Sequence, residues 1–311
     1  MQTNMEINNS YVFLAIGKTQ ESTEGFKKYI GVGSSFVVAV NPTKKEFEDI
    51  IGHEVANDPE YVVNTDNGKE ARIKFVVKTD PNTCNGVEII NQVMFTLRNA
   101  PAYNKDQSKV QVIDKYGNST WAPTEDAKAG KKLFSATGKE LKIDSSYRIA
   151  CVGEADLIGF LKAYLCVGDA FNYVNDSWVK KENADDFLFS LEHVKDYFSG
   201  DFSEVKDAIA LQPNNKVKLL YGVRTTDEGK QYQTIATRSG MVLYNSAGSK
   251  ALSKLEKDLA NAKNSGSYAS TDFRVQELSE YSVEPTNFSS APTTSTGGQG
   301  SEVSMGDMPW D

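Results

Sequence analysis

Ile30-Gly31-Val32-Gly33-Ser34-Ser35-Phe36-Val37-Val38-Ala39-Val40 reads as one long β-strand with two glycines inside it. β-Branched and aromatic residues suit a pleated, half-buried surface, and a glycine within such a run marks a bulge or a sharp bend. A long strand that bends is a feature of small, strongly coiled barrels. The same composition recurs at Tyr11–Ile16, Ala71–Thr79, Val87–Asn99 and Lys109–Asp114, which predicts a β-rich first half. Asn67-Gly68 and Tyr116-Gly117-Asn118 supply turns between them. Further on, Lys216–Arg224 and Lys230–Arg238 flank Thr226-Asp227-Glu228-Gly229, a hairpin signal with Gly in the left-handed position, and Asp272–Val283 reads as a last strand.

Helical spacing appears in fewer places. Thr43 and Glu46 stand in capping-box register after Asn41-Pro42, and Phe47, Ile50 and Ile51 form the apolar face of a short helix that ends near Gly52. Glu154–Val167, Asn183–Phe198 and Phe202–Leu211 show apolar residues at helical intervals, which predicts a helical insert over about 154–212. Ser249–Asn264 predicts one more helix. The fold class expected is α+β, mainly β: a flexible stretch at 1–10, a single body over 11–286 and a tail at 287–311. The tail is rich in Ser, Thr, Gly and Pro and too poor in apolar side chains to fold, so it is expected to be disordered.

The formal net charge of −8 is unevenly spread. Beyond Arg274 there are no basic residues but Glu277, Glu280, Glu284, Glu302, Asp307 and Asp311, which leaves residues 1–274 at −2. A nearly neutral body binds nucleic acid when its Lys and Arg gather in one groove, because phosphate neutralisation follows the local field. The N-terminal residues lack the basic and apolar regions of a secretory signal, which predicts a cytoplasmic protein without membrane association.

Patterns for catalysis fail one by one. Gly17-Lys18-Thr19 resembles the end of a phosphate-binding loop, but Val12 stands where the pattern needs Gly. Gly31-Val32-Gly33 lacks the third glycine of a dinucleotide fingerprint, since position 36 is Phe. His53 and His193 have no visible nucleophile partner, and Asp185-Asp186 is explained as an acidic pair at a helix N-terminus. Cys84, Cys151 and Cys166 are widely spaced and fit neither a disulfide framework nor zinc. The sequence therefore predicts a non-enzymatic protein with no cofactor and no metal.

Two features point to binding instead. Single-strand binders pair a basic track with aromatic platforms, because every base has a face to stack and every nucleotide a charge. Arg98, Tyr103, Lys105, Lys109, Lys115, Tyr116, Trp121 and Arg148 interleave the two kinds of residue. In the later hairpin Lys216, Lys218 and Arg224 share one strand face, as Tyr232 and Arg238 share a face of the next, while Tyr221 falls opposite the lysines and reads as core. The second feature is the tail tip, Asp307-Met308-Pro309-Trp310-Asp311, a short peptide with one apolar anchor and rim acids suited to a partner's pocket. An acidic tail tethered near a basic groove also competes with phosphate for it.

Taken together, Gly31-Val32-Gly33-Ser34, Val40-Asn41-Pro42-Thr43, the run from Lys109 to Gly117, the run from Leu211 to Lys218 and Gly222-Val223-Arg224-Thr225-Thr226 resemble the single-stranded DNA-binding replication proteins of crAss-like tailed bacteriophages. The resemblance covers most of residues 11–288. It implies an elaborated OB-type barrel that coats unpaired DNA during phage replication and recombination in the infected bacterial cytoplasm, with replication proteins recruited through the C-terminal tail. The chain departs from the usual tail ending in that Asp311 follows Trp310. The main alternative is a phage virion structural or cargo protein that uses the same body for protein contacts.

Overall fold

The computed structural model describes residues 29, 31–66, 68–225 and 231–235. β1 (Gly31–Val40) leads through α1 (Lys44–Ile51) to β2 (Val62–Thr65), β3 (Gly68–Thr79) and β4 (Ile90–Pro101). β5 (Lys109–Ile113), β6 (Ser119–Pro123), α2 (Thr124–Lys128), β7 (Arg148–Ile149) and β8 (Cys151–Val152) follow. Next come α3 (Glu154–Tyr164), β9 (Phe171–Val174) and β10 (Ser177–Lys180), then α4 (Val194–Tyr197) and α5 (Ser203–Ala210). β11 (Lys216–Thr225) and β12 (Gln231–Ile235) complete a described part that is mainly β with a few helices.

The bent first strand organises the main sheet. β1 pairs β11 on one side and β3 on the other, and its register on β3 slips between Val37 and Ala39. The extra residue of this bulge, Val38, is 42 % exposed, and a bulge sharpens the local twist. The bulge thus sits beyond the two glycines. Gly33 instead permits a close approach of neighbouring side chains. A Cβ there would stand 2.4 Å from Cys84 Sγ and 3.2 Å from the Tyr29 ring, so the position admits no side chain. The lateral order is β12-β11-β1-β3-β4-β8 with β2 added to β3, and every pairing is antiparallel. The sheet curls into a half-barrel. Its end strand returns to β4, where Asn91 Nδ2 donates to the Gln233 carbonyl at 3.4 Å.

Alternation fills the inside of the curl. Ile73, Phe75 and Val77 from β3, Val93, Phe95 and Leu97 from β4, and Val217, Leu219 and Tyr221 from β11 are all buried in one core. Tyr221 is core as its strand parity predicts, and its hydroxyl shares a 2.6 Å hydrogen bond with Ser35 Oγ. α3 packs on this core through Leu157, Phe160, Leu161 and Tyr164. The Phe160 ring lies 4.5 Å from Phe75 and 5.3 Å from Phe95, centroid to centroid. A smaller sheet, β6-β5-β7, has its own core of Val110, Val112, Ala122, Ala127 and Leu133.

The local signals at α1 are realised in full. Thr43 and Glu46 form the capping box, and Gly52 closes the helix at φ 74°, a left-handed conformation that costs glycine little. Val87–Ile89 is not part of β4: the Thr79 hydroxyl accepts from the Ile89 N–H at 2.8 Å and donates to the Val87 carbonyl at 3.0 Å, side-chain bonds that stand in for a regular ladder. The helical insert is corrected in two ways. Asn183–Phe198 is not one helix: Ala184–Phe187 makes a 3-10 turn, Leu188 is extended, and only Val194–Tyr197 is α-helical. The N–H groups of Glu192 and His193 donate instead to the Glu204 carboxylate at 2.7 and 3.2 Å. The insert also contains the β9–β10 hairpin. Tyr11–Ile16, Asn67, Thr226–Gly229, Ser249–Asn264, Asp272–Val283 and the termini at 1–10 and 287–311 lie outside the described residues. Among the described residues no helix is long and apolar enough to cross a membrane.

Candidate nucleic-acid interface

The strand that fills the core also builds a cationic outer surface. With Ala71, Ile73, Phe75 and Val77 facing inward, the pleat turns Glu70, Arg72, Lys74, Val76 and Lys78 outward. Across the ladder these outward residues meet Arg98, Thr96, Met94, Gln92 and Ile90 of β4. On the other side Phe36 of β1 is the neighbour of Lys78, and Lys216 of β11 is the neighbour of Phe36. α1 lies over the middle, where Phe47 and Ile51 bury Val76. Cations are thus left on both flanks of the helix.

Each of these cations is held in a definite way. Glu70 accepts from Arg98 Nε at 2.9 Å and lies 3.6 Å from Arg72 Nη2. Lys78 pairs with Glu88 at 2.9 Å, and Lys216 with the buried Asp80 at 2.6 Å, with its ammonium 4.8 Å above the Phe36 ring. Burial alone would raise the Asp80 carboxyl, but the Lys216 ammonium and the Asn82 N–H outweigh it and hold it below its ordinary value. Lys74 has no carboxylate partner among the described residues. Its ammonium lies 5.3 Å from the Phe47 ring and 5.8 Å from the Tyr61 ring, and burial pulls its pKa below the usual lysine value. An anion placed over this surface meets Arg72, Lys74, Lys78, Arg98 and Lys216, against the carboxylates of Glu70, Asp80 and Glu88. The sheet side of this face carries five cations against three carboxylates, while α1 above it adds Lys44 and Lys45 against Glu46, Glu48 and Asp49. The strands thus offer cations beside rings, the two kinds of group that stacked, charged nucleotides use.

The residues singled out from the sequence divide between several environments. Lys109, Gln111 and Trp121 share the outer face of the small sheet, with Gln111 opposite Trp121, and Trp121 is 44 % exposed. Arg148 belongs to that face by register, opposite Ile113, but its guanidinium is engaged by the buried Glu154 carboxylate and donates to the Leu191 carbonyl at 2.8 Å. Tyr103 falls on the opposite face and packs on the small core. Lys105 is exposed in the turn before β5. Tyr116 is fully buried beside Phe171, so its ring faces are closed to a base, and exposed Lys115 places its ammonium 5.1 Å from that ring. Lys218 is outward by parity yet only 2 % exposed, which removes its ammonium from the surface. Arg224 and Tyr232 are direct backbone neighbours across β11 and β12, with side chains outside the described part. Arg238 and the tail tip Asp307, Met308, Pro309, Trp310 and Asp311 also lie outside the described residues.

Sequence reading passed over Arg72, Lys74, Lys78 and Phe36, although the signal was present. Arg72-Ile73-Lys74-Phe75-Val76-Val77-Lys78 alternates cation and apolar residue at the period of a strand, broken only where Val76 goes under α1. Comparison with protein-family models, with curated proteins and with solved structures finds no match to this chain.

Proposed function

We propose that this chain is a non-enzymatic, sequence-independent single-stranded DNA-binding protein built on an elaborated OB-type barrel. It coats unpaired DNA during phage replication and recombination and recruits replication proteins through its acidic tail. Strand order supports the barrel reading. In chain order the barrel strands are β1, β3, β4, β11 and β12; the first three are sequential neighbours, the fourth returns to pair the first, and the fifth approaches the third. That is a Greek-key route, and the OB barrel is a five-stranded Greek key whose second and third strands carry the oligonucleotide-binding face. The corresponding face here is the outside of β3 and β4.

The observation that carries the functional reading is the row of Arg72, Lys74 and Lys78 on β3 with Arg98 beside it on β4. The test is a joint R72Q/K74Q/K78Q variant, titrated with labelled oligothymidine over a series of salt concentrations. Removing three phosphate contacts lowers the slope of log affinity against log salt by about 2 for a single strand. Affinity at low salt falls by about tenfold or more. An unchanged slope would remove this face from the mechanism.

A further inference from the structure

The β9–β10 hairpin forms a two-stranded sheet separate from the main one and presents a ring pair of its own. Its turn is Asn175-Asp176, both at positive φ (48° and 59°), a two-residue geometry that fixes the register of the strands beside it. Tyr173 and Trp178 are directly opposed, with ring centroids 5.0 Å apart, and Tyr173 is 39 % exposed. The base of the hairpin is anchored where Phe171 enters a cluster with Tyr116, Ala170 and Ala184. The rings are therefore held on a fixed platform.

Ammonium groups gather over that platform. Lys139 Nζ sits 4.1 Å from the Tyr173 centroid and Lys142 Nζ 5.2 Å from that of Trp178. Lys180, opposite Phe171, shares the ring-bearing face of the hairpin by parity, and Lys142 also pairs with Asp169. Lysine is depleted from the centres of protein–protein interfaces, where desolvating it is costly. A single nucleic-acid strand uses both parts at once, with a base on the ring and the neighbouring phosphate on the ammonium. We propose that this hairpin is a second contact for single-stranded nucleic acid, in which a base displaces the Lys139 ammonium from the exposed Tyr173 ring and Lys139 swings to take the adjoining phosphate. The inference rests on the single-strand-binding function proposed above and extends the path of the strand beyond the barrel.

The test uses the full chain and two variants, Tyr173→Leu, which keeps an apolar side chain without a ring to stack, and Lys139→Gln. Each is titrated with oligothymidines of about 10 and about 30 nucleotides, lengths chosen to fill one barrel face or to pass beyond it. Each variant should bind the long strand roughly tenfold more weakly and leave the short one unchanged. Photo-cross-linking of the unaltered protein to a long iodouridine strand, read by mass spectrometry, should label Tyr173 or Trp178. Unchanged long-strand affinity in both variants, with cross-links confined to the barrel, would overturn the inference and leave single-strand binding intact. Absence of binding to either length by the unaltered chain would overturn both.

Discussion

Phe160→Ala tests whether α3 holds the curled sheet together. The Phe160 side chain is 0 % exposed and rests on Phe75 and Phe95, which are 0 % and 1 % exposed on adjacent strands. Truncation removes most of a buried ring and leaves a cavity walled by two other rings that β3 and β4 hold in place. Phe→Ala changes in such settings cost about 3–5 kcal/mol. Loss of two ring–ring contacts, each worth about 0.5–1.5 kcal/mol beyond area, places this one near 4 kcal/mol. In a body of this size that lowers the thermal midpoint by roughly 8–16 °C. Urea unfolding followed by tryptophan fluorescence reads the loss directly, and Leu211→Ala, at a site 76 % exposed, is the matched control with a change near zero. Because Phe160 lies inside, affinity for oligothymidine well below the midpoint should not move. A loss under about 1.5 kcal/mol would refute the packing of α3 into the sheet.

Gly153→Ala should cost at least about 2 kcal/mol in urea unfolding, because φ is 84° and the new Cβ would lie 2.3 Å from the Thr96 carbonyl oxygen. Gly130→Ala, at φ 62° with nothing within 4 Å, should cost only about 1 kcal/mol, and equal losses would contradict the close approach at Gly153. Arg148→Met leaves the Glu154 carboxylate buried without its guanidinium and should destabilise by about 2 kcal/mol. Its oligothymidine affinity, measured while the protein is fully folded, should stay within about twofold of the unaltered chain, since this arginine is already committed within the fold. Asp80, depressed below its ordinary value in the folded protein, contributes stability that is present above its unfolded pKa of about 3.9 and lost as pH falls through the lower folded value. The stability gap between the unaltered chain and Asp80→Asn should therefore hold steady from about pH 7 to 5 and close below about pH 4; a gap that widens on acidification would contradict the Lys216 pairing.

What the sequence disclosed and what it withheld follow from the range of the forces involved. The capping box at Thr43 and Glu46 is local, with all its partners within one helical turn, and it was legible. So was the inward position of Tyr221, because strand parity fixes side-chain direction one residue at a time. Tyr116 and Lys218 misled for the opposite reason: parity or composition makes them surface residues, and the folded chain buries both. Phe171 lies against the Tyr116 ring from far along the chain. The break in Asn183–Phe198 is also non-local, since Glu204 draws away two backbone donors that helical periodicity alone assigns to a helix. Among the candidate contacts, Lys109 and Trp121 were brought to one face because they lie on paired neighbouring strands. The cations of β3 join those of β4 and β11 only through sheet order, which no single stretch of sequence reveals.

The most direct measurement is a competition titration of the full chain between oligothymidine and a duplex of equal length, at about 50 mM and about 200 mM salt. Affinity for the single strand should exceed that for the duplex at both concentrations and weaken steeply as salt rises, because unpaired bases alone can reach the rings beside the β3 and β4 cations. Equal affinity for the two forms, or binding indifferent to salt, would contradict the account.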